Sequence, residues 1–231
     1  MAHIPRGPLG LFIQGFGGVM SEQLTLPGME EGGPAPPRPR PKPILRPRRA
    51  FNLFFAIRPA PDDALTLEAL GHRLAQAHGM RCKPLAAGRL HVSLHNLGEY
   101  DVVPPGLIRL ASLVADGLAF PAFDVVFDHA MVFRGRGTPY VLCSSSKLEA
   151  LDTFHLELGI ALKNAFPLLD VKRDFTPHIT LAYKGRLGLV HSIEPLRWSA
   201  HELVLINSHQ GKTVHEVLGR WPLRGQPGLA F

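Results

Sequence analysis

The sequence predicts an α+β fold built of two similar halves, and three observations predict it. A strand, a helix and a second strand follow one another twice along the chain. Each of the two second strands carries a histidine followed by an aliphatic residue, a small hydroxyl residue and leucine. Additional short strands accompany both units and would widen each half into a sheet.

Phe51 to Ile57 (FNLFFAI) reads as a buried strand, closed by Arg58-Pro59 because proline cannot continue a ladder. Leu67, Leu70, Leu74 and Ala77 then recur at helical spacing, with Asp62 and Asp63 placed to favour the positive end of a helix and Gly79 to stop it. Arg89 to Leu97 alternates as a strand, with His91, Ser93 and His95 expected on one face and Val92, Leu94 and Asn96 on the other. In the second unit, Tyr140 to Cys143 is a strand, Leu148, Leu151, His155, Leu158 and Leu162 mark a helix face, and His178 to Ala182 is the matching strand. Phe123 to Phe127, Met131 to Phe133, Glu202 to Ile206 and His215 to Leu218 are the further short strands.

The 231 residues and a hydrophobic fraction of 45% suffice for an ample core. No apolar run approaches the roughly 18 residues of a membrane helix, so a soluble protein is expected. Leu9 to Val19 is mildly apolar but rich in glycine and lacks a small-x-small cleavage site, which argues against a secretory leader. Cys82 and Cys143 suggest neither a metal knuckle nor a disulfide framework, and a reducing cytoplasm fits them best.

The formal charge of +6 points to a polyanionic partner. Much of it is concentrated in Arg38, Arg40, Lys42, Arg46, Arg48 and Arg49, within a segment where proline alternates with Arg or Lys. Residues 1–50 therefore read as an extended Pro/Arg-rich tail, either a solvated linker or a nucleic-acid-binding arm, with Met20 a plausible alternative start. Residues 51–231 form the folded domain. Gln23-Leu24-Thr25-Leu26-Pro27, in the tail, resembles the peptide by which bacterial proteins dock on the DNA sliding clamp.

The chemistry rests on His91-Val92-Ser93-Leu94 and His178-Ile179-Thr180-Leu181. Period two puts imidazole and hydroxyl on one face of each strand and the two aliphatic side chains on the other, where they anchor the strand in a core. Two such strands meeting across a cleft would present two imidazoles to one phosphate, one as base and one as acid, with Ser93 and Thr180 as donors to its non-bridging oxygens. This arrangement needs no metal and no cofactor. A single motif of this kind is weak; two in matched contexts are much more specific.

These motifs, with Leu53 to Pro59 (LFFAIRP), Leu97-Gly98, Phe175 to Leu181 (FTPHITL) and the closing pattern from Trp198 through Ser208 to Trp221-Pro222-Leu223, resemble the two-histidine phosphoesterase superfamily. Within it the chain is similar to the bacterial RNA 2′,3′-cyclic phosphodiesterases, also called 2′-5′ RNA ligases. The resemblance implies two pseudo-symmetric lobes, each an antiparallel sheet with helices, flanking a central catalytic cleft. It also implies hydrolysis of RNA or nucleotide 2′,3′-cyclic phosphates to 2′-phosphomonoesters, and in some relatives joining of RNA ends through a 2′-5′ linkage. By the same analogy His91 protonates the departing 3′ oxygen and His178 takes the proton of attacking water. Where many relatives carry arginine five residues after the second histidine, this chain has Tyr183 and then Lys184, the candidates for binding substrate there.

Two alternatives stand beside this reading. A metallohydrolase using His91, His95 and His178 meets the difficulty that strand positions four apart lie about 13 Å from one another. A non-catalytic RNA or nucleotide binder of the same fold would have no need of two intact acid/base motifs.

Overall fold

The computed structural model describes residues 49–135, 137–171 and 174–224. The clamp-like peptide at 23–27 and nearly all of the tail lie outside the described residues. Among those described, no helix is long and apolar enough to cross a membrane.

Strand β1 (Phe51–Ile57) is buried along most of its length because it lies between two other strands of the sheet, which is why FNLFFAI is apolar without alternation. Helix α1 (Pro61–Ala77) begins on a proline, whose missing N–H costs nothing in the first turn, and carries Asp62 and Asp63 there. It ends as expected at Gly79, whose φ of 58° lets the amides of Gly79 and Met80 reach back to the carbonyls of Gln76 and Ala75. One 3-10 turn (Ala87–Arg89) then leads into β2 (Val92–Tyr100).

Helix α2 (Pro105–Asp116) was not expected from the sequence. Leu107, Ile108, Ala111, Val114 and Ala115 form the stripe that packs on the core, whereas Leu110 and Leu113 face outward and blur it in the sequence. The two short strands expected between residues 123 and 133 are one strand, β3 (Phe123–Val132), whose pairing shifts register between Phe127 and His129. Strand β4 (Tyr140–Cys143), helix α3 (Glu149–Ala165) and strand β5 (His178–Ala182) lie where the sequence placed them. Strand β6 (Val190–Ala200), unforeseen, contains Pro195 and forms one edge of the sheet, where a missing amide is tolerated. Strands β7 (Glu202–His209) and β8 (Val214–Pro222) are longer than the runs that signalled them.

All strand pairings are antiparallel, and the order is β6-β3-β4-β5-β2-β1-β7-β8. The two expected sheets are thus one sheet in two four-stranded halves. Read outward from the centre, β5-β4-β3-β6 repeats the plan of β2-β1-β7-β8, and β4-α3-β5 corresponds to β1-α1-β2. Val92 opposite Ile179 joins the halves strand to strand, and ahead of β2 Pro84 bridges Ala182 of β5.

Side chains from all three helices and both halves share one large core, to which β1 contributes Leu53, Phe55 and Ile57. Each such side chain contributes about 1.5–3 kcal/mol on full burial. The alternate residues Phe54 and Ala56 belong to a separate small cluster with Val204 and Ile206 on the opposite face of the sheet. That second face holds the candidate site.

Candidate functional site

The seam between the halves is made by the aliphatic residue of each motif. Val92 and Ile179 are fully buried and directly opposed. Extending this antiparallel register by one residue sets His91 across from Thr180 and Ser93 across from His178. The four polar side chains of the two motifs are thereby gathered in a crossed arrangement over one seam.

Each imidazole is oriented by the chain just before it. His91 donates its Nδ1–H to the Arg89 carbonyl at 2.7 Å, and His178 donates its Nδ1–H to the Thr176 carbonyl, also at 2.7 Å. A carbonyl only accepts, so these bonds fix the neutral tautomer and leave Nε2 of each ring free to take a proton. Ser93 donates its hydroxyl to His91 Nε2 at 3.0 Å. The rings are also braced by aromatic neighbours: Phe54 and His215 lie 5.2 and 5.1 Å from His91, and Phe133 lies 4.9 Å from His178.

Burial, reinforced by the charges of Arg58, His178 and Arg89, pushes His91 down to about 4, against the opposing effect of its bond to the Arg89 carbonyl. His215 is pushed down to about 3 by burial and then by His91, Arg89 and Arg58. The free cleft is an environment that disfavours added positive charge and would gain from an anion.

A cavity of about 1060 Å³ opens over the seam. His91, Ser93, His178, Thr180 and Tyr183 all line it. Lys184 does not; its backbone is left-handed, with φ 65°, and its amide donates to the Gly137 carbonyl at 2.7 Å. His95 is not on the His91 face as expected. Register shifts on β2 either side of residues 94 and 97 break the alternation, and His95 turns toward α3. There its Nε2–H donates to the His155 carbonyl at 2.8 Å, and its ring stacks 4.0 Å from that of His155, which stacks on Phe175. A three-histidine metal site from His91, His95 and His178 is therefore not what these residues build, and no group of three or more His, Cys, Asp or Glu among the described residues is arranged to hold a metal.

Comparison with known proteins identifies the family and the fold. The sequence profile of the 2′-5′ RNA ligase superfamily matches residues 61–212, a span holding both motifs. The chain belongs to this superfamily. Among solved structures it resembles a protein described as a phosphoesterase, with 24% identity and a TM-score of 0.61 over 78% of this chain and 99% of that one. LigT of E. coli complexed with 3′-AMP is 25% identical, with a TM-score of 0.60 over 77% of this chain and 99% of LigT. A protein of Thermus thermophilus, TT0787, shares the fold at 20% identity and a TM-score of 0.60, over 76% and 99% of the two chains. No curated protein sequence matches.

Within this superfamily fold the cleft also contains residues that the sequence did not single out. Arg89, Asn52, Phe54, Ser208 and His215 line it. Arg89 could have been found, since counting back two from His91 puts it on the same face. Ser208 entered the sequence reading only as part of the closing pattern, and neither it nor His215 could be placed in the cleft, because their approach depends on β7 and β8 pairing beside β1, a long-range contact with no local signal.

Proposed function

We propose that this chain is an RNA 2′,3′-cyclic phosphodiesterase that opens cyclic phosphate ends to 2′-phosphomonoesters by acid/base catalysis between His91 and His178. The observation that carries this reading is the pair of identically oriented imidazoles flanking one seam, each with Nε2 available, over a cavity large enough for a nucleotide. That LigT holds 3′-AMP in a similar fold supports a nucleotide or RNA end as the ligand class.

In this mechanism a water attacks phosphorus in line with the 3′ oxygen. His178 Nε2 takes the water proton as the new P–O bond forms. The P–O3′ bond breaks, and His91, protonated at Nε2, delivers its proton to O3′. Ser93 and Thr180 donate to the non-bridging oxygens, and Arg89 supplies a positive charge nearby. Binding the phosphate anion is what charges His91, whose surroundings otherwise keep it neutral. With an RNA 5′-hydroxyl in place of water, the same displacement would form a 2′-5′ linkage. Base, acid and oxyanion donors all come from side chains, so no step calls for a metal.

The deciding experiment incubates the protein with RNA ending in a 2′,3′-cyclic phosphate, with and without chelator, and separates the products. A 2′-phosphate end formed equally under both conditions is expected; a 3′-phosphate end, or binding without turnover, would reject the assignment.

A further inference from the structure

The cavity over the seam is lopsided. On the β5 side its lining consists of His178 and Thr180 and of loop residues, among them Gly137, Pro139, Leu169, Asp170 and Tyr183; no residue of β3, β4 or β6 takes part among those described. On the β2 side it continues across three adjacent strands, through Asn52 and Phe54 of β1, Ser208 of β7 and His215 of β8. Pairing aligns Asn52 with Ser208 and Ser208 with His215, so these three side chains form one polar row across the sheet. Phe54 lies beside that row, with its ring 6.0 Å from His215 and 5.2 Å from His91.

We propose that the row Asn52, Ser208 and His215, floored by Phe54, is the seat of the nucleoside that bears the cyclic phosphate, and that it reads the nucleobase. The inference rests on the proposed phosphodiesterase reading and adds to it the side on which the substrate's body lies. The lining of the cavity and the proposed role of His91 agree on that side. The first is the lining, whose strand residues beyond the two motifs all belong to β2, β1, β7 and β8. The second is stereochemical: in-line attack puts water and O3′ on opposite sides of phosphorus, so if His91 protonates O3′, the ribose and its base lie on the His91 side.

The chemistry of the row suits a base. The Asn52 carboxamide offers a donor and an acceptor in one plane, and its buried Oδ1 has no hydrogen-bond partner among the described residues. A planar ligand edge that drew this amide into the cleft would satisfy a group that is otherwise unpaired. The Ser208 hydroxyl donates or accepts, and the His215 ring, held neutral in these surroundings, offers one nitrogen of each kind and a flat face. A bare phosphate or sugar phosphate would leave this row unused.

The test compares kcat/KM for nucleoside 2′,3′-cyclic phosphates with that for base-free 1-O-methylribose 2,3-cyclic phosphate, in the full chain and in Asn52→Leu, His215→Phe and the double variant. Because each variant is judged by the ratio between two substrates, a loss of folded protein cancels. The parent should prefer the nucleoside by at least about tenfold, one hydrogen bond's worth of discrimination or more, and the double variant should bring the ratio close to one. Equal turnover of both substrates by the parent, or an undiminished preference in the double variant, overturns the seat. If the parent hydrolyses neither compound, the phosphodiesterase reading fails by itself. The seat is then judged by calorimetric affinity for a nucleoside 2′-monophosphate against ribose 2-phosphate: a gap of about tenfold that closes in the double variant upholds it, and no gap, or one that persists, rejects it.

Discussion

His91 and His178 are held in the same way: each ring gives its Nδ1–H to the carbonyl two residues upstream, at 2.7 Å in both cases. Equal orientation from two different loops, one entering β2 and one entering β5, leaves the Nε2 atom of each ring as its proposed proton-transfer atom. Replacing either ring with alanine should lower turnover of a 2′,3′-cyclic nucleotide by at least ~100-fold, the usual scale for a general acid or base. Initial rates of the two purified variants decide it, and full activity in either would end the two-histidine mechanism.

Ser93 and Thr180 sit across the seam from His178 and His91 respectively, by extension of the Val92–Ile179 register. As donors to charge that grows in the transition state, they should act on kcat more than on KM. Ser93→Ala and Thr180→Ala are each expected to cost about 10²-fold in kcat, as loss of one oxyanion donor does. Steady-state kinetics showing only a raised KM would make them ground-state binding groups instead.

Burial among basic neighbours disfavours the charged form of His91. Its ring, pushed down to about 4 by burial and reinforced by Arg58, His178 and Arg89, should regain proton affinity when an anion arrives. Titrating the ring by NMR, first alone and then in saturating inorganic phosphate, should move its midpoint upward by at least about one unit, equivalent to about 1.4 kcal/mol of favourable interaction. An unmoved midpoint would place the phosphate away from His91.

How much of this was legible in the sequence follows the range of the interactions involved. Tyr140 to Cys143 and His178 to Ala182 were read to the residue because β-branched and aromatic residues between turn signals specify a strand locally. The candidate pair His91 and His178 was legible because each motif combines local alternation with repetition. His95 was misplaced because bulges on β2 depend on the pairing partner β1, and nothing in residues 89–97 announces them. Helix α2 escaped notice because two of its leucines face outward, and β6 because Pro195 argues against a strand until its edge position is known. The β1-β7-β8 wall of the cleft brings Asn52 beside Ser208 and Ser208 beside His215, through pairings that local pattern does not encode.

Acid should weaken the fold before it titrates the carboxylates. His91 and His155 are pushed down to about 4, in both cases chiefly by burial, and His215 to about 3. Below the ordinary value of 6.5 the unfolded chain takes up protons at these rings that the folded chain refuses. Stability is therefore complete above about pH 6.5 and declines as pH falls toward 4 and then 3, where the folded rings finally protonate. Thermal unfolding followed from about pH 7.5 to about pH 4 should show a falling Tm over this interval; a flat Tm would mean that the rings are not shielded.

Gly219 tests whether β8, which carries His215, is locked to the rest of the domain by Trp221. A Cβ at residue 219 would lie 2.2 Å from Cη2 of Trp221 and within 2.9 Å of two more atoms of the same ring. The indole cannot yield freely, since it packs 6.0 Å from Phe55 and donates its Nε1–H to Asp116 of α2 at 2.6 Å. Gly219→Ala must then either expel the indole or bend β8, and overpacking of this kind costs typically about 1–3 kcal/mol. Denaturant unfolding should show a loss of about 2 kcal/mol together with a red-shifted tryptophan emission as the ring meets water. If stability and emission both match the parent, the indole is not packed over Gly219, and the proposed anchoring of the His215 strand through α2 falls with it.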